Sequence, residues 1–291
     1  MVYDIRHILV PVDMGDAGAM ALRYARLFSE RLLAPLSVMY ADPLLYPMDM
    51  VPATAVMLSA SPEHEARLRR EVVDYAKQAL EAWPFDAIVK LGPAAPMILR
   101  AAEEIDARLI VIGSHQHRSW RHALLGSVTA DVIHGSTCPV LTTPRKQTPS
   151  ITRILCPVNF TDVARESLRF AGRLADLFAA ELVVVHVVEP GQDPIDEAFV
   201  RGWIEPEMRE AATFRELVLR GGPAERVLDC AEDIGADLLV IGAQHKLFRD
   251  TTVIGTTSER LIRFADCPVL TFPRVAQRMK TQEREREMAA V

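Results

Sequence analysis

The sequence predicts an α/β fold made of two tandem doubly wound parallel-sheet domains, and three observations point to it. Short apolar runs without polar alternation, expected of strands covered on both faces, alternate with amphipathic helical segments. The chain also repeats itself. His7-Ile-Leu-Val-Pro-Val-Asp13 returns as Arg153-Ile-Leu-Cys-Pro-Val-Asn159, Ala107–Gly113 as Ala236–Gly242, and Cys138–Pro144 as Cys267–Pro273. Finally, the spacing is 129 residues for the last two pairs and 146 for the first, so the first copy carries 17 extra residues in its middle. A repeat this long is a duplicated domain and not a solenoid unit. The expected domains are 1–145 and 151–274, joined by the polar, proline-bearing linker Arg145–Ser150. The charged, proline-free tail 275–291 reads as a solvated helix or frayed end.

The elements follow in the same order in both copies. Ile8–Val12 and Ile154–Val158 are the first strands. Ala17–Leu33 sets Leu22, Ala25, Leu27 and Leu32 among charged residues at helical spacing, and Thr161–Ala180 matches it with Thr161 as N-cap. Second strands are Leu36–Tyr40 and Leu182–Val188. Ser61 as cap, Pro62 at the first position and Glu63 and Glu65 in the first turn start a long helix in the first copy. Third strands at Ala87–Lys90 and Leu217–Leu219 end at Gly92 and Gly221. Helices Ala94–Ile105 and Ala224–Ile234 lead to the strongest strands, Leu109–Ile112 and Leu238–Ile241. A last helix and a strand opening after Cys-Pro close each copy.

Composition narrows the function. In 291 residues, 49% are hydrophobic and 25% charged, which excludes a disordered chain. With 33 basic and 39 acidic side chains the net charge is -6, against a non-specific nucleic-acid binder, which needs a basic footprint. No apolar run approaches the roughly 18 residues of a membrane span. The best, Leu182–Val188, is interrupted by His186. The N-terminus reads at once as a strand with no signal-peptide core, and four cysteines without a C-x-x-C pair suit a reduced cytoplasm.

In an open α/β sheet a ligand sits outside the carboxyl ends of the strands, where strand order reverses. Asp13 falls at one such end. The stretch Gly113–Gly126 follows the fourth strand and leads into a helix starting near Ser127. Glycines there let the chain approach a ligand, and a helix N-terminus suits phosphate. Ser127 and Thr256 add hydroxyls where a terminal phosphate would lie.

The opening ILVPVD, a loop that approaches the G-x-x-G-(nine residues)-G-[S/T] pattern and the CPV strand resemble the universal stress protein family in tandem form over nearly the whole chain. The resemblance implies a cytoplasmic stress-response protein that dimerises through its last strands, with ATP bound in one branch of the family and not in the other. In nucleotide-binding members the opening Asp holds adenosine, and the glycine loop with its Ser or Thr holds ribose and phosphates. The first copy keeps Asp13, Gly113, Gly126 and Ser127, but Gln116 stands at the second glycine. The second keeps Gly242, Gly255 and Thr256, with His245 at that glycine position and Asn159 in place of the aspartate. A Cβ where φ must be positive costs about 1–2 kcal/mol, and loss of a carboxylate hydrogen bond about 1.5–3 kcal/mol. The first copy is therefore the expected ATP site, weakened, and the second is degenerate. Gln116 can instead hydrogen-bond a phosphate.

Plainer readings cover other residues. His115, His117 and His122 lie close together without a carboxylate or thiol ligand, so a solvated basic loop is expected and no metal. His186 reads as a hydrogen-bonded core histidine. Cys138, Cys156, Cys230 and Cys267 read as packed thiols. The insertion around Tyr46–Ser61 is equally a lid or a packed surface loop. No nucleophile–base pair, P-loop or G-x-S-x-G is present, so the expected role is a non-catalytic sensor or scaffold. The alternative is a slow ATP-hydrolysing or adenylate-handling enzyme. The strands at Val140 and Val269, if they are sheet edges, are expected to pair within the chain as a pseudo-dimer, with a homodimer beyond it.

Overall fold

The structure is a computed structural model that describes residues 5–43, 61–114, 126–144, 148–193, 195–204, 214–242 and 256–273. The first half runs β1 (Ile8–Pro11), α1 (Asp16–Leu32), β2 (Leu36–Asp42), α2 (Pro62–Leu80), β3 (Asp86–Leu91), α3 (Ala94–Glu104), β4 (Leu109–Gly113), α4 (Ser127–Gly135) and β5 (Val140–Thr143). The second runs β6 (Arg153–Pro157), α5 (Asp162–Phe178), β7 (Glu181–Val188), α6 (Glu197–Trp203), β8 (Phe214–Arg220), α7 (Pro223–Ile234), β9 (Leu238–Gly242), α8 (Thr256–Phe264) and β10 (Val269–Phe272). The insertion at 46–60 and the tail lie outside the described residues.

Local chemistry starts the helices as expected. Ser61 Oγ accepts from the His64 amide at 3.2 Å with Pro62 at the first position, and Thr161 Oγ1 caps α5 by accepting from Ala164 N at 3.3 Å. Gly92 and Gly221 both sit at φ +135, which glycine alone adopts readily, and turn the chain from β3 and β8 into α3 and α7.

All ten described strands form one sheet in the order β3-β2-β1-β4-β5-β10-β9-β6-β7-β8. Every pairing is parallel except β5 with β10. There Leu141 stands opposite Leu270, Val140 opposite Thr271 and Thr142 opposite Val269. Leu270 is the repeat counterpart of Leu141, so the halves meet about a pseudo-two-fold axis through that pair, the isologous geometry of a dimer contained in one chain. Thr142 Oγ1 adds a bond to Val269 O at 3.1 Å.

The central strands are buried on both sides, which explains their unbroken apolar runs. One apolar layer packs α1, α2, α5 and Val200 of α6 on one face. The other packs α3, α4, α7 and α8 on the opposite face. Both layers run through both halves. Phe28 of α1 meets Phe178 of α5 edge-on at 5.3 Å, with the Arg31 guanidinium 5.8 Å from the Phe178 ring.

Two departures from the sequence reading have physical causes. β3 and β8 extend beyond the expected runs because edge strands accept polar residues: Asp86 and Arg220 join the ladder though they break the apolar pattern. The seven-residue α6, capped by Asp196 Oδ1 accepting from Phe199 N at 2.8 Å, is too short to give a periodic signal. Among the described residues no helix is long and apolar enough to cross a membrane.

A core shared across the β5–β10 pair predicts one cooperative thermal transition, measurable by calorimetry, where independent halves give two. Leu141→Ala, at a fully buried position, is expected to lower stability by about 2–5 kcal/mol in urea unfolding.

Candidate functional site

In each half strand order reverses beside the first strand: β1 lies between β2 and β4, and β6 between β7 and β9. The carboxyl ends of those strands are where an open α/β sheet leaves a crevice.

In the first half β1 leads through Asp13, Met14 and Gly15 into α1. Asp13 Oδ1 accepts from Gly15 N at 2.9 Å, a tight local turn. The Tyr75 hydroxyl, from α2, donates to Gly15 O at 2.6 Å. Burial first, then the charges of Asp13 and Asp16, push the Tyr75 phenol above the usual tyrosine range. Tyr75 and Asp13 close around Gly18, where a Cβ would lie 2.7 Å from the hydroxyl and 3.2 Å from Asp13 Oδ1.

The strand-end glycines meet a packing demand that the sequence does not reveal. A Cβ on Gly113 would stand 2.4 Å from the Ala17 carbonyl oxygen, inside the first turn of α1. On Gly242 it would lie 2.8 Å from Val163 Cγ1 and 3.3 Å from the Val163 backbone. Glycine here admits the neighbouring helix, and no ligand is needed to explain it. Gly126 differs: it caps α4 at φ -56 with no side-chain hydrogen bond, and among the described residues a Cβ would meet only Thr129 Oγ1 at 3.9 Å. Ser127, first residue of α4, is exposed beside that cap. Gln116, His245 and Gly255 lie outside the described residues, as do His115, His117 and His122. Thr256 begins α8.

In the second half Asn159 Oδ1 accepts from the Thr161 hydroxyl at 2.8 Å, so the residue standing for Asp13 serves the helix cap. Phe160 follows at φ 60, and its counterpart Met14 sits at φ 59. A left-handed backbone costs a side-chain-bearing residue about 1–2 kcal/mol, and it recurs at the same place in both copies. No composition signal marks it. The Phe160 ring lies 4.4 Å from the His186 ring, 5.1 Å from Phe199 and 5.4 Å from Trp203. The Arg165 guanidinium covers the Trp203 ring at 4.4 Å. This aromatic wall depends on α6 and has no counterpart in the sequence reading.

A cavity of ≈ 640 Å³ lies at the ends of β6, β7 and β9, with Phe160 in its lining. Val185, Val187, Val227, Ile241 and Leu261 give it apolar sides, and Gly242 also lines it. His186 is the hydrogen-bonded histidine the sequence suggests, with Nδ1 2.9 Å from Val158 O, and it is among the residues lining this cavity.

All four cysteines are buried and free. Burial pushes the Cys138 thiol up to about 11 and those of Cys156 and Cys267 up to about 12, which keeps them protonated and unreactive near neutral pH.

Two doubly wound units fused edge to edge, with strand order reversing beside the first strand of each, define a duplicated α/β protein. The universal stress protein family model matches residues 4–144 and again 150–273, and the chain belongs to that family. It is 25% identical over 285 residues to the universal stress protein Rv2623 of Mycobacterium tuberculosis, covering 90% of this chain and 95% of the relative. A universal stress protein of Thermus aquaticus is 29% identical over 130 residues, 95% of its own length but 40% of this chain, so it has the size of one copy. A solved universal stress protein structure from Archaeoglobus fulgidus superposes with a TM-score of 0.75 at 24% identity, covering 93% of this chain and 99% of the other.

Two substitutions separate packing glycines from open ones. Gly113→Ala is expected to destabilise by about 1–3 kcal/mol, while Gly126→Ala stays within about 0.5 kcal/mol of wild type, both read by urea unfolding.

Proposed function

We infer that the chain is a non-catalytic stress-response protein of the cytoplasm, a sensor or scaffold, with two units, 1–145 and 151–274, that read out small-molecule occupancy. The observation carrying this reading is the cavity at the strand-order reversal of the second half. The fold leaves a ligand-sized space where its topology favours binding, within the ordinary 300–1,000 Å³ of such sites. By residue match, the first half takes an adenine nucleotide. Asp13 stands at the end of β1 for the ribose, and Gly126 and Ser127 start α4, whose N-terminal amides lack a side-chain cap and suit phosphate oxygens. Gly113 positions α1 against β4 at the mouth of this site. Gln116 weakens this site, and Asn159, Gly242, Gly255 and Thr256 are its diverged counterparts in the second half. Because β5 and β10 are already paired within the chain, a homodimer uses another surface.

Calorimetric titration of ATP tests the reading. Asp13→Ala and Ser127→Ala are each expected to weaken ATP binding about 10–100-fold, the range for a lost hydrogen bond involving a charged partner. Gln116→Gly tightens it about tenfold. No phosphate is released with Mg²⁺ present. Equal ATP affinity in wild type, Asp13→Ala and Ser127→Ala removes the nucleotide assignment, and turnover abolished by Asp13→Ala establishes an enzyme instead.

A further inference from the structure

Joining β5 to β10 inside the chain leaves β3 and β8 as the outermost described strands. Gly92 N donates to Asp42 O at the end of β2 at 2.8 Å, so by alternation Ala87, Val89 and Leu91 turn their N–H and C=O groups away from β2. Arg69 of α2 reaches that outer side, where its guanidinium donates to Ala87 O at 2.6 Å. Arg69 is half exposed, and a surface bond of this kind is exchanged at little cost. No described strand occupies the outer side of β3. Its side chains divide between the two layers: Ala87 and Val89 pack with α1 and α2, while Ile88 packs with α3. Asp86 and Lys90 share the face of Ile88 by alternation, and Lys90 Nζ meets Glu104 of α3 at 2.6 Å.

This strand is complementary to itself. A two-fold axis at Ile88 sets Ile88 opposite Ile88 of a second copy, Asp86 opposite Lys90, and Ala87 opposite Val89. Ala87 and Val89 are the residues with outward backbone groups, so they exchange both hydrogen bonds across the axis. Asp86, Ile88 and Lys90 then form the closer, non-hydrogen-bonded pairs, where opposite charges attract. Asp86 is exposed, and an ammonium with three donors can serve a second carboxylate beside Glu104. The other edge fits less well. On β8 the charged partner for a self-pairing, Glu216, is 8% exposed and held by Arg201 of α6. Pairing β3 with β8 of the next copy sets Lys90 against Leu217 or Arg215, and such a head-to-tail contact does not close. We propose that two copies of this chain associate through antiparallel pairing of their β3 edges about Ile88, with Asp86 and Lys90 as reciprocal ion pairs. This gives a surface to the homodimer of the preceding reading, on which it rests, and is independent of what either crevice binds.

The test is sedimentation velocity of the full-length chain at about 1–100 μM. Wild type is expected to sediment as a two-chain species at the upper end. Asp86→Lys and Lys90→Asp each weaken association about tenfold, because two like-charge pairs replace two opposite ones. The double variant Asp86→Lys/Lys90→Asp restores it, which also shows that the single variants did not fail by unfolding. Val89→Pro removes an outward N–H without touching the ladder to β2 and abolishes the two-chain species. Ile88→Cys gives a disulfide-linked pair of chains on mild oxidation, since facing Cα atoms at such a pair lie about 4.5 Å apart. Asp86→Cys does not, its two copies being about 13 Å apart in this register. A monomer at every concentration overturns the proposal and removes the homodimer with it. A two-chain species unchanged by Lys90→Asp and Val89→Pro, one lost instead in Arg220→Asp, or equal cross-linking at 86 and 88 overturns this surface alone.

Discussion

The antiparallel pairing of β5 with β10 is the contact on which the rest of the architecture depends. Each of these strands is the last of a doubly wound unit, where unpaired backbone groups would otherwise face solvent. Pairing Leu141 with its own repeat counterpart Leu270 satisfies both edges at once and fixes the relation between the halves. Both helical layers then bury their apolar faces against a single sheet, and α1 and α5 come together through Phe28 and Phe178. The edge that a single unit would leave unpaired is thereby used inside the chain.

A second constraint acts at the strand ends. α1 crosses so close to β4 that Gly113 has no room for a methyl group, and Val163 of α5 imposes the same condition on Gly242 less severely. The motif glycines thus include residues fixed by the scaffold. Gly126, where a Cβ would meet only Thr129 Oγ1 among the described residues, is not held in that way. A match to the motif therefore does not establish that its ligand is bound.

On this common frame the two crevices have diverged. In the first half Asp13 and the Tyr75 hydroxyl draw together around Gly15 and Gly18. In the second, Asn159 is committed to the Thr161 cap, and α6 brings Trp203 and Phe199 against Phe160. The strained backbone at Met14 and Phe160 is retained in both. Strain kept at one position through such changes of side chain points to the course of the loop, set by the sheet and helix it connects, as the feature that the duplication preserves.

The sequence by itself determined the α/β class, the duplication, the order of strands and helices, and the caps at Ser61 and Thr161, because these depend on apolar periodicity and short-range hydrogen bonding. Asp13, Gly126 and Ser127 were legible as candidate site residues for a related reason: they sit at element boundaries that the pattern marks. Only the tertiary structure decided that Gly113 answers to Ala17, that His186 bonds Val158 at the end of the first strand of the second half, and that α6 supplies an aromatic wall. Those outcomes join residues distant in the chain, such as Val158 to His186 and Phe160 to Trp203, and long-range packing of that kind leaves no periodic trace in the sequence.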